Sequence, residues 1–243
     1  MNLTTTNRSA RALLTVLLTS SLLLFGAALA QVRAGDALAD EGRFAEAVAA
    51  YERALTTNPN DARAHYRLAR SAVYLADELP AAAVTEKEAW FARAADAAER
   101  AVELAPTDPD AHFEVARALG RLAQFRGVLQ SLSLAGRVSR ALDAAIELDA
   151  GHAASWHARA LYHRDVPWIA GGRAGQVIPS FERAIASEPD VITHRLELAR
   201  VYLDRNEPAK AREQLALAVT FAATTYHERL DLEAARALLA TLP

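Results

Sequence analysis

The segment GRFAEAVAAYERALTTNPND, which starts at Gly42, contains a pattern that returns three more times along the chain. Ala47, Tyr51 and Ala54 lie at i, i+4 and i+7, one face of a helix. Pro59 stops that helix, because a proline holds the residue before it out of helical geometry. Ala94, Ala98, Ala101 and Pro106 repeat the set, and Val177, Phe181, Ala184 and Pro189 repeat it again. Val138, Leu142 and Ala145 make the remaining copy, with Ala150 where the proline would stand. A helical unit repeated in this way cannot cover its apolar face alone and must stack on its neighbours, which restricts the chain to a solenoid. Composition agrees. Glycines number 10 in 243 residues, and alanine, leucine, arginine and glutamate dominate, so helix is favoured over strand.

Further helical stretches lie between these segments: ARAHYRLARSAVYLA from Ala62, DAHFEVARALGRLA from Asp110, AASWHARALYHR from Ala153 and ITHRLELARVYLDR from Ile192. They share one small position, Ala69, Ala116, Ala160 and Ala199, which allows neighbouring helices to approach closely. With Gly35, Ala47, Tyr51, Ala54 and Pro59 at the small, Gly/Ala, aromatic, Ala and Pro positions, most of residues 31–221 resembles the tetratricopeptide repeat, a helical hairpin of about 34 residues. The resemblance implies an all-α, right-handed superhelix of about five stacked hairpins. NEPAKAREQLALAV reads as the second helix of the fifth hairpin, and YHERLDLEAARALLATL as a terminal helix capping the last apolar face. Local contacts dominate such a fold, so residues 31–243 are expected to form one domain with one continuous core. The repeats here are longer than that family's, and the excess falls inside each hairpin. Those insertions are expected to collect as loops on one edge.

The insertion of the fourth hairpin reads DVPWIAGGRAG, from Asp165 to Gly175. A phosphate-binding loop needs a GK[ST] end between a strand and a helix, and neither is present. It reads as a connection: Pro167 stops a helix, the glycines permit the turn, and Trp168 and Ile169 are expected to fold back on the hairpin. With AIELDAGHAASWHARALYHR before it and SFERAIASEPDVITHRLELARVYLD after it, this region resembles bacterial relatives of the regulator of microtubule dynamics family. That resemblance supplies no catalytic residues to carry over.

The first thirty residues have a different character. Arg8 and Arg11 precede an apolar run from Ala12 to Ala28, and ALA stands before Gln31. This is the pattern of an export signal cleaved after Ala30, giving a periplasmic or secreted protein. The alternative is an uncleaved anchor over residues 12–30, which would tether a repeat-built assembly factor to the inner membrane. Removing the leader removes two arginines and no acid from a chain of formal charge −3, so nothing attracts nucleic acid globally. The chain contains no cysteine, so neither disulfides nor a lipoprotein acyl group is available.

Catalytic and metal-binding patterns are not found. His157 and His163 fall on different helix faces, no HExxH is present, and no serine sits in a G-x-S-x-G turn. No cofactor and no metal is expected. A hydrolase or transferase would have to be built on the insertions near residues 76–88, 125–135 and 165–175. Those offer Asp77, Glu78, Glu86, Glu88 and Asp165 without a matched base. The reading that remains is a non-enzymatic scaffold that binds a protein or peptide partner through its concave face. Counting from each repeat start, that face collects Arg63, Tyr66, Arg70 and Tyr74, then Phe113, Arg117 and Arg121, then His157, Leu161 and Arg164, then Leu196 and Arg200. Recurrent arginines with aromatic neighbours suit an acidic segment or a free C-terminus. The competing reading pairs these arginines with acids such as Glu114 and Asp165 on adjacent helices.

Overall fold

The computed structural model describes residues 26–126 and 128–242, the side chains of 128–130 aside. The expected leader falls mostly outside the described residues, since these begin at residue 26. Among the described residues the secondary structure is helical, with no strand. Helix α1 is described over 26–40, so the expected cleavage point after Ala30 falls inside it. Then follow α2 (Phe44–Thr57), α3 (Ala62–Glu78), α4 (Val84–Leu104), α5 (Pro109–Arg126), α6 (Val128–Leu148) and α7 (Ala153–Asp165). After two short 3-10 turns come α8 (Val177–Ser187), α9 (Ile192–Asp204), α10 (Pro208–Ala218) and α11 (Tyr226–Ala240). Consecutive helices pack on one another, most extensively in the pairs α5/α6 and α3/α4, then in α4/α5, α7/α8 and α9/α10. No described helix is long and apolar enough to cross a membrane.

Local chemistry explains where these helices begin and end. The Asp61 carboxylate accepts from the Ala64 N–H at 3.0 Å and caps α3, satisfying a donor that has no partner within the helix. Thr225 and Glu228 form a reciprocal capping box on α11, and Pro208 sits in the first turn of α10. The repeat positions read from the sequence are the core positions. Ala47, Tyr51, Ala54, Ala94, Ala98, Ala101, Leu142, Ala145, Phe181 and Ala184 are all buried, as are Ala69, Ala116, Ala160 and Ala199. A Cβ on Gly35 would stand 2.5 Å from the Tyr51 ring, which is why glycine occupies that small position.

Three expectations are corrected by the packing. The long insertions of the second and third hairpins extend helices instead of forming loops: α3 and α4 are joined by 79–83, and α5 and α6 nearly abut. Trp90, Phe91 and Phe125 lie on those extensions and pack into the core, with the Phe91 and Phe125 rings 5.7 Å apart. Burying these rings offsets the cost of ordering the extra turns. Next, Trp168 and Ile169 do not fold back; they stand in solvent. Finally, the core is not continuous. The buried residues from α2 to α7 form one cluster and those from α7 to α11 another, with smaller clusters at the N-terminal hairpins. The division falls at α7, which packs tightly on α8 and loosely on α5 and α6.

Helix α11 does more than cap. Its C-terminal part packs Ala235 into the last core cluster, while its first turn reaches the beginning of the chain. Tyr226 lies against Gly42, whose φ of 82° and missing Cβ let the ring approach. Phe44 stacks on His227 at 5.3 Å, and Tyr74 meets the same imidazole at 4.0 Å. An aromatic clasp therefore joins the last helix to the first full hairpin.

Candidate functional site

A groove of about 590 Å³ opens where the core divides. Helices α5 and α6 form one wall and α7 the other, with Tyr74 of α3 at one end and Val191, Thr193 and His194 at the start of α9. The floor is apolar and small: Ala116, Ala135, Val138, Leu142, Ala158 and Leu161 line it. Gly120, in the interior of α5, also faces it, and a Cβ there would meet nothing within 4 Å. Glycine in a helix interior costs about 1 kcal/mol relative to alanine. A position that accepts this cost beside open space keeps the groove wide.

Six of the residues proposed from the sequence come together here: Tyr74, Phe113, Arg117, Arg121, His157 and Leu161 line the groove. The others do not. Tyr66 is buried against Ala101 and Ala111, because the α4–α5 packing covers that face of α3. Arg63 is exposed at the start of α3, and Arg70, Arg164 and Arg200 lie off the groove wall.

Most of these arginines are already engaged. Glu114 is completely buried (0% exposed), with Arg70 at 2.7 Å and Arg117 at 3.1 Å. The Arg117 contact is misaligned for a hydrogen bond, so its attraction there is charge alone. Arg117 instead donates to the Tyr74 hydroxyl at 2.5 Å and lies over the Phe113 ring. The adjacent Glu114 carboxylate holds Arg70 even more firmly protonated than usual, against the opposing effect of burial. Glu197 repeats the arrangement on α9, accepting from Arg164 at 2.9 Å and pairing with Arg200. Arg121 pairs with Asp77, and Arg164 also bonds Asp165 at 2.7 Å. The stacked wall of free guanidinium groups is therefore absent from these positions.

The sequence reading named Glu114 as a partner acid for these arginines but missed its counterpart Glu197. Glu114 and Glu197 occupy the same position in HFEVAR and RLELAR, a repetition that could have marked them as paired acids. His194 was passed over as well. Its Nδ1 lies 3.0 Å from Nδ1 of His157, and the two imidazoles face the groove from α9 and α7. One ring must donate and the other accept, so the two facing nitrogens cannot both carry a proton. Burial pushes His157 down to about 3, helped by His194 and Arg117, and pushes His194 down to about 4. Both folded values lie below the ordinary imidazole value of 6.5. Their contribution to stability is thus complete above that value and is lost as pH falls toward 4, since the unfolded chain takes up protons that the folded chain refuses. The denaturant midpoint is expected to drop between about pH 7 and about pH 4.5, and less steeply in His157→Leu. Identical slopes in the two proteins would contradict this assignment.

Among the described residues, no group of three or more His, Cys, Asp or Glu side chains could hold a metal ion. Of the acids on the insertions, Asp77 pairs with Arg121, Glu88 with Arg126 and Asp165 with Arg164.

Stacked helical hairpins around an inter-repeat groove define a tetratricopeptide-repeat protein, the fold of interaction scaffolds. Residues 170–228 match the model of that repeat. Residues 31–169, more than half of the chain, match the family model of regulator of microtubule dynamics protein 1-3, and the chain belongs to that family. Comparison with curated proteins gives no match. Among solved structures, the chain is similar to TTC0263, a thermophilic tetratricopeptide-repeat protein of Thermus thermophilus. The identity is 23%, covering 87% of this chain and 100% of that one, with a TM-score of 0.70. It is also similar to pilF of Pseudomonas aeruginosa, at 17% identity over 89% of this chain and 88% of that one, with a TM-score of 0.52. These likenesses concern the fold.

Proposed function

We propose that the protein is a non-enzymatic scaffold of the cell envelope that holds a polypeptide segment in the groove between α5, α6 and α7. The observation that carries this reading is Gly120, an interior helix position left without a side chain where it opens the groove. The apolar floor favours a segment presenting aliphatic or aromatic side chains. An acidic segment or C-terminus would have to compete with Glu114 and Asp77 for Arg117 and Arg121, so charge is the lesser part of the recognition. The envelope location is supported by the apolar run after Arg8 and Arg11 and the ALA that precedes Gln31.

Gly120→Leu separates fold from binding. Leucine is the better helix former by roughly 1 kcal/mol, so the variant is expected to melt at or above the wild-type temperature. Its side chain occupies the groove, so peptides selected on the wild-type protein are expected to bind at least tenfold more weakly. Undiminished peptide binding by a folded Gly120→Leu protein would place the partner site elsewhere.

A further inference from the structure

Trp168 and Ile169 are 84% and 70% exposed, the highest values for large apolar side chains among the described residues. Isolated exposed hydrophobic residues are ordinary, but two neighbours at the tip of a locked loop are not. The lock is visible in the backbone. The Pro167 carbonyl accepts from Ala170 N–H at 2.9 Å and from Gly172 N–H at 3.1 Å, and the Tyr162 hydroxyl donates to the Ala170 carbonyl at 2.8 Å. Gly171 takes a φ of 103°, and a Cβ on Gly172 would run into the Val166 carbonyl oxygen. The loop is built to hold its two large side chains outward.

Within the loop itself the charge has one sign. Residues 166–181 contain no acid, and their one charge is Arg173. Trp168 and Arg173 each adjoin the Pro167–Gly172 hydrogen bond, so both sit at the same tip. Arg205, exposed at the end of α9, donates to the Ala174 carbonyl at 3.2 Å and brings a second guanidinium to the loop; of the acids near it in the chain, Glu207 is paired with Lys210 and Asp204 is exposed. Asp165, which precedes the stretch, is paired with Arg164. A tryptophan and an aliphatic residue flanked by arginines match the layering of a phospholipid surface. The indole sits at the headgroup level, the aliphatic side chain dips below it, and guanidinium groups meet phosphate. A protruding pair of side chains also suits a fluid headgroup layer, which closes around any shape. A stable protein interface needs about 800 Å² per partner and a matching surface.

We propose that the Trp168–Ile169 tip, with Arg173 and Arg205 beside it, docks on the surface of an anionic phospholipid bilayer. This inference is independent of the groove reading. The test uses the full chain carrying Trp90→Phe and Trp156→Phe, which leaves Trp168 as the one tryptophan, with circular dichroism to verify the fold. Vesicles of phosphatidylcholine with phosphatidylglycerol, bearing bromine on their acyl chains, are expected to shift Trp168 emission to the blue and quench it. The quenching should be much weaker on phosphatidylcholine alone, should fall as salt rises, and should be lost in Arg173→Gln/Arg205→Gln. Gly120→Leu should leave it unchanged. Several results would overturn the proposal. One is that the protein pellets with vesicles while Trp168 stays unquenched, contact then running through the N-terminal segment alone. Another is quenching that ignores lipid charge and both arginines. A third is a blue shift that needs no vesicles and grows with protein concentration, which would make the tip a contact between copies of the chain.

Discussion

The double variant Arg70→Met/Arg117→Met is expected to lose about 3–5 kcal/mol of unfolding free energy, because it strands the Glu114 carboxylate without a counter-charge in the interior. Glu114 has no exposed surface, whereas the side chains of Arg70 and Arg117 keep 36% and 23% of theirs. The cost of burying charge therefore falls on the acid, and the two arginines offset it. The triple variant that also carries Glu114→Leu removes the stranded charge and should recover most of the loss, since replacing a whole buried ion cluster by apolar side chains is often neutral. Urea titrations of the three proteins decide the matter. A double variant as stable as the wild type would mean that water or other groups satisfy Glu114. The arginines would then be free for a ligand, as the concave-face reading of the sequence supposed.

Phe181→Ala is expected to cost about 3–5 kcal/mol, the usual loss for deleting a buried ring that its surroundings cannot replace. Phe181 is fully buried on α8, at the centre of the cluster shared by α7 to α11, and meets the His157 imidazole edge-on at 5.2 Å. The loss should be uneven along the chain. In a stacked solenoid each hairpin is stabilised by its neighbours, and the core divides at α7. Amide hydrogen exchange is expected to quicken in α8, α9 and α10 while α3, α4 and α5 keep most of their protection. The clasp between α11 and Phe44 offers a route by which the loss can reach the N-terminal hairpins. Equal acceleration throughout the chain would show that the clasp, and not nearest-neighbour stacking, sets the cooperativity.

The helical repeat, its hairpin order and its core positions were determined by the sequence alone. Those properties depend on residues three and four apart on one helix, and on prolines and caps that act within a turn. Tyr51, Leu142 and Phe181 announce their burial through spacing alone. The tertiary structure decided what depends on distant partners. Whether Arg70 faces a ligand or Glu114 rests on how α5 sits against α3, and no local pattern records that distance. The long insertions hold apolar residues such as Phe91 and Phe125 that read equally as loop or helix until the two helices meet. The return of α11 to Gly42 joins segments almost the whole chain apart. Trp168 was misplaced for a related reason: a tryptophan in a glycine-rich turn suggests burial by composition, while the Pro167 and Gly172 backbone geometry points it away from the hairpin. Periodicity carries the energy of burial within an element, and the groove exists only where two such elements fail to close.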